Sequence, residues 1–185
     1  MVRLVAALVA LLAALIVPGI GAGAEDLPAY DSRVSVALDQ LDAVPATSDL
    51  RGVLATNQVE VRFVPMGAGI YARYSVLKHT IEIDERWSDA DETTLAAVIA
   101  HEATHASDAV SGYLATGGEP ACIDSEVRAF RTSALFWLAQ YGAAGKVDTS
   151  SELDQQLNSI ADRELHDPQG LEALVRQTYS QQCSH

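Results

Sequence analysis

The stretch TLAAVIAHEATHASDAV, Thr94 to Val110, decides how this chain is read. Leu95, Val98 and Ile99 recur at helical spacing, so the segment turns one apolar face to a core and is predicted to be a helix. Inside it stands His101-Glu102-Ala103-Thr104-His105. Four residues at about 100° each leave the two histidines about 40° apart around the helix and one turn apart along it, so both imidazoles can meet one metal ion. Glu102 projects from a neighbouring face. There a carboxylate sits beside a metal rather than on it, the place of a general base that takes a proton from water. The helix is expected to run from Asp89 to Gly112. Ser88 and Asp89 are placed to cap its start, Asp91 and Glu92 put negative charge in its first turn, and Gly112 is a natural stop.

A hydrolytic zinc centre uses three protein ligands and keeps one position open, so a partner for His101 and His105 is needed. Glu126 is the leading candidate. It follows His105 by 21 residues and lies in PACIDSEVRAFRTSALFWLAQY, Pro120 to Tyr141, which reads as a second long helix. Pro120 suits a first helical turn and Gly142 an end. Ile123, Val127, Phe130, Ala134 and Trp137 form its apolar stripe, read here as core, and Glu126 is one position from that stripe. Ala129 lies on nearly the same face as Glu126, and a side chain so small lets two helices approach closely. Asp124 and Glu119 are the fallback ligands.

The rest of the chain predicts an α+β domain. Val34, Ala37, Leu38 and Leu41 define a helix over residues 31 to 44, with a shorter one over Asp49 to Ala55. The period then changes to two. Val59, Val61 and Phe63 alternate with Glu60 and Arg62, Pro65, Gly67 and Gly69 supply a turn, and Ile70 to Val76 and Thr80 to Ile83 continue the strand signal. A small antiparallel sheet of about three strands is therefore expected before the motif helix. Further helices are expected from Ser151 to Leu165 and from Asp167-Pro168 to Gln181, placing the third-ligand helix and C-terminal helices after the motif.

The first two dozen residues differ from the rest. Arg3, an apolar run from Leu4 to Val17, then Pro18 and Ala22-Gly23-Ala24 make the three parts of a signal peptide over residues 1–24, cleaved near Ala24. Residues 25–185 then form a single domain, secreted or otherwise outside the cytoplasm, with no stable membrane anchor. Without Arg3 the chain keeps 11 basic against 25 acidic side chains, a formal charge of −14. That balance disfavours nucleic acid as a partner. The two cysteines, Cys122 and Cys183, are an even count in an exported chain and are read as one disulfide.

His101-Glu102-x-x-His105 followed by Glu126-x-x-Ala129 on a downstream helix resembles the gluzincin branch of the zinc metallopeptidases. Ile70-Tyr71-Ala72-Arg73-Tyr74 and Thr80-Ile81-Glu82-Ile83 likewise resemble the strands that precede the active-site helix in small zincin domains. The resemblance covers roughly residues 58 to 141. It implies zinc on His101, His105 and Glu126, Glu102 as catalytic acid/base, and a peptide or protein substrate aligned along an edge strand. Related metzincins have Gly where Asp108 stands and a third ligand where Ser111 stands, so that branch is disfavoured. Several gluzincins place an Asp where this chain has Phe130, which leaves Asp108 or Asp124 to hold a motif imidazole. Tyr71, Tyr74, His79, Tyr113, Tyr141 and His166 are all candidates for a second electrophile. The competing reading is an exported zinc-binding domain of the same fold without catalysis.

Overall fold

Apolar side chains at three- and four-residue spacing build the first element. In the computed structural model, which describes residues 30–149 and 151–184, helix α1 spans Ser32–Asp42 and buries Val34, Ala37, Leu38 and Leu41. Helix α2, Leu50–Thr56, buries Leu50 and Leu54. Strands β1 (Glu60–Val64), β2 (Ala72–Ser75) and β3 (Thr80–Asp84) follow, and then the motif helix α3, Glu92–Val110. Helices α4 (Tyr113–Tyr141), α5 (Glu152–His166) and α6 (Pro168–Tyr179) complete the α+β order that the periodicities imply. The expected leader, residues 1–24, lies outside the described residues. Among the described residues, no helix is long and apolar enough to cross a membrane.

The sheet corrects one expectation. Its order is β1-β3-β2, with β2 antiparallel to β3 but β1 parallel to β3, pairing Val61 with Ile81 and Phe63 with Ile83. Alternation assigns a strand's faces and leaves its neighbour open. The short link between β2 and β3 makes a hairpin, whereas the longer segment after Val64 carries the chain past the place β3 will take. β3 is central and buried along its whole length, including Glu82, which Arg73 and Lys78 pair at 2.6 and 2.9 Å. β2 is left as an edge strand, packed beside α3.

Helix α3 starts later than its flanking polar residues imply. Asp91 is the N-cap, accepting hydrogen bonds from the N–H groups of Thr93 and Thr94, while Ser88 closes the 3₁₀ turn Glu85–Trp87. The Arg33 guanidinium donates to the carbonyls of Ser88 and Ala90 and ties α1 to this entry. Lys146 reaches it from the other side, pairing with Asp91 and with the buried Asp154, whose other oxygen accepts from Thr94 at 2.6 Å. Leu95, Ala96, Ala97, Ile99 and Ala100 then enter the main core with Ile81, Ile83, Phe136 and Trp137.

Helix α4 is longer than its expected start at Pro120. Helical backbone begins at Tyr113 and breaks at Gly118, where φ 56° and ψ −146° suit glycine. Pro120 then sits in the first turn of the resumed helix, as expected. The disulfide between Cys122 and Cys183 is formed, spanning 61 positions and fastening the chain just past α6 to α4. Closing so long a loop contributes about 2–4 kcal/mol, mainly by restricting the unfolded chain. Replacing both cysteines by serine is therefore expected to lower stability by about that amount in denaturant titrations. An unchanged midpoint would contradict this role.

Candidate metal centre

Two imidazoles and one carboxylate meet where α3 packs on α4. His101 and His105 stand one turn apart, with their Nε2 atoms 3.3 Å apart. Glu126 spans both from α4: its Oε2 is 3.7 Å from His101 Nε2 and its Oε1 is 3.7 Å from His105 Nε2. One ligand atom from each residue lies within 4.8 Å of the others, so the three could hold a metal ion. A small side chain helps the approach: Ala129, on nearly the same face of α4 as Glu126, has no exposed surface.

The donor set fits zinc. Ligands about 2.0–2.1 Å from a tetrahedral zinc stand about 3.3–3.4 Å apart, the spacing of the two imidazole nitrogens. Glu126 Oε2 is buried without a hydrogen-bond partner, and 3.7 Å is an ion-pair distance, too long for a hydrogen bond. A cation between these atoms would satisfy all three. Without one, a proton does part of that work. Burial disfavours charge on His101, but the Glu126 and Glu102 carboxylates outweigh it and raise its pKa. Burial pushes His105 down to about 4, with Glu126 opposing and the neighbouring His101 adding to the fall. Burial likewise opposes ionisation of Glu126, yet the two histidines hold it below the ordinary carboxylate range. The two imidazoles are thus driven in opposite directions, His101 up and His105 down.

Glu102 lies next to the centre but outside the ligand set. It is 6% exposed, and burial pushes its pKa up to about 7, with His101 pulling down and Glu126 pushing up. The backbone N–H of Tyr74, on edge strand β2, also faces this carboxylate and favours its ionised form. A carboxylate poised near neutrality can both take and return a proton.

The other sequence candidates separate clearly. Asp124 pairs with Arg176 at 2.7 Å and accepts from the Tyr113 hydroxyl, and Glu119 is exposed, so neither fallback ligand joins the cluster. Asp108 does reach a motif imidazole, but through Ser125: His105 Nδ1 is 2.8 Å from Ser125 Oγ, which donates to Asp108 Oδ2 at 2.6 Å. Phe130 packs edge-on against the His101 ring, centroids 4.7 Å apart. Tyr71 donates to Glu152, Tyr141 packs on Trp137, and His79 and His166 are exposed.

Two residues at the centre were not singled out by the sequence reading, Ser125 and Tyr179. Tyr179 packs on Phe130 at 5.7 Å, and burial together with the Glu126 and Glu102 carboxylates raises its pKa, so its phenol stays a neutral O–H donor. A signal for it exists. Cys122 lies four residues before Glu126 and Cys183 four after Tyr179, so the disulfide lies about one helical turn from each of them along its own segment. A comparison of the chain with protein-family models, curated proteins and solved structures found no match.

The buried Glu102 gives a stability signature. In the metal-free fold it ionises at about 7 rather than 4.5, so the fold binds a proton that the unfolded chain has released, and stability falls as pH rises between those values. Glu102→Gln removes that dependence. Chelator-treated Glu102→Gln protein is expected to exceed the unsubstituted chain by about 2–3 kcal/mol above pH 7, and to show no such advantage below pH 4.5. Denaturant titrations across that window would contradict the placement of Glu102 by showing a pH-independent difference.

Proposed function

We propose that this chain is a zinc-dependent peptidase of the HExxH-plus-Glu kind, acting on extended peptide or protein substrates outside the cytoplasm. The observation that carries this reading is the convergence of His101, His105 and Glu126, with Glu102 poised beside them but not among the ligands. Exposed acidic groups cluster often without any metal. Here the three side chains are largely enclosed, and a cation between them would satisfy all three.

His101, His105 and Glu126 would hold the metal. Bound there, zinc supplies Lewis acidity, lowering the pKa of a water and polarising the scissile carbonyl. Glu102 takes the proton from the attacking water and delivers it to the leaving amine. Tyr179 donates its O–H toward the carbonyl oxygen as negative charge develops there. Edge strand β2 gives an extended substrate main-chain partners along the side that faces Glu102.

Digestion of a peptide library with and without a chelator tests activity and metal dependence together. Cleavage is expected only with metal, and Glu102→Gln is expected to bind zinc as well as the unsubstituted chain while losing peptidase activity by at least 10²-fold. A protein that binds zinc stoichiometrically yet cleaves no peptide would replace this reading with a zinc-binding role. Activity that survives Glu102→Gln would refute the assignment of the base.

A further inference from the structure

Ser125 is 1% exposed, precedes Glu126 on α4, and its hydroxyl has two partners. It lies 2.8 Å from His105 Nδ1 and 2.6 Å from Asp108 Oδ2. A hydroxyl has one proton to give, and an ionised carboxylate can only accept. The Ser125 proton therefore goes to Asp108, and an oxygen lone pair is left facing Nδ1. That lone pair is satisfied by an imidazole protonated at Nδ1. The same tautomer bares Nε2, the atom that faces His101 and Glu126.

The far end of the chain of contacts is anchored too. Arg128 Nη2 lies 2.7 Å from the same Asp108 oxygen, and the guanidinium sits 4.3 Å above the Tyr113 ring. The pairing holds the Asp108 oxygen toward Ser125. Asp108 and His105 share α3, whereas Ser125 comes from α4. The hydroxyl consequently crosses the seam between the helices at the residue next to Glu126, and one contact sets the ring of one ligand and the approach of another.

We propose that Ser125 is the positioning residue for His105: its hydroxyl relays the direction of the Asp108 carboxylate to the imidazole, fixes the Nδ1–H tautomer and so prepares Nε2 to bind the metal. The proposal rests on the reading of His101, His105 and Glu126 as a metal site. It gives this chain a carboxylate–hydroxyl–imidazole relay through α4, while Phe130 leaves His101 held by an aromatic edge.

Long-range ¹H–¹⁵N spectra of the metal-free protein, at mildly alkaline pH, read the His105 tautomer directly. The Nδ1–H form is expected in the unsubstituted chain, and both Ser125→Ala and Asp108→Ala are expected to shift the ring toward Nε2–H. Zinc affinity, measured by competition with a chromophoric chelator, is expected to fall about 10–100-fold in each variant. Ser125→Thr, which keeps the hydroxyl, is expected to retain the tautomer and most of the affinity. Asp108→Ala lies at the more open end of the relay and reports the same loss if Ser125→Ala does not fold. An unchanged tautomer and affinity in folded Ser125→Ala or Asp108→Ala overturns the proposal. If the unsubstituted chain takes up no zinc, the underlying metal reading is overturned, and the metal-free spectra separate that failure from a failure of the Ser125 relay.

Discussion

Glu126 places a carboxylate between two helices, in contact with two imidazoles and largely cut off from water. Removing such a group from solvent costs several kcal/mol unless opposite charge and hydrogen bonds replace the water. The surroundings answer that demand. The two imidazoles hold the Glu126 carboxyl below its ordinary range, and the Glu126 and Glu102 carboxylates in turn raise His101 against the pull of burial. A divalent cation answers it more completely, since it meets both imidazoles and the orphaned carboxylate oxygen together.

The fold is arranged to hold those atoms still. α1, α2 and the sheet pack beneath α3, while Arg33 and Lys146 grip its N-terminus from opposite sides. α4 presents the fully buried Ala129 on the face that carries Glu126. α6 then closes the far wall, with Leu171 and Val175 buried against Val127, and Phe130 and Tyr179 packed alongside. The disulfide fastens that wall a turn away from both Glu126 and Tyr179, which fits an oxidising compartment and makes the covalent link part of the site's geometry. Catalytic constellations need such support because small displacements of ligands or bases cost rate steeply.

What could be read in advance follows the range of the forces involved. Helices α1, α3, α5 and α6 were legible because a period of 3.6 is written locally, and His101 and His105 because one helical turn fixes their spacing. Glu126 was legible as a chemical requirement, a third ligand on the next helix. The parallel pairing of β1 with β3 was not, because strand neighbours are chosen by tertiary packing. The cap of α3 moved from Ser88 and Asp89 to Asp91 because a 3₁₀ turn uses the residues before it. Ser125 and Tyr179 were hidden for a related reason. Each owes its place to a contact between helices, and a serine or tyrosine at helical spacing carries no local mark of it.

We propose that two imidazoles and one carboxylate hold a single zinc ion. X-ray absorption at the zinc edge of the purified, zinc-loaded protein tests it most directly. One tightly held zinc per chain is expected, four- to five-coordinate, with two imidazoles and the remaining ligands all oxygen at about 2.0–2.2 Å. A sulfur ligand, a single imidazole, or zinc removed by simple gel filtration would contradict it.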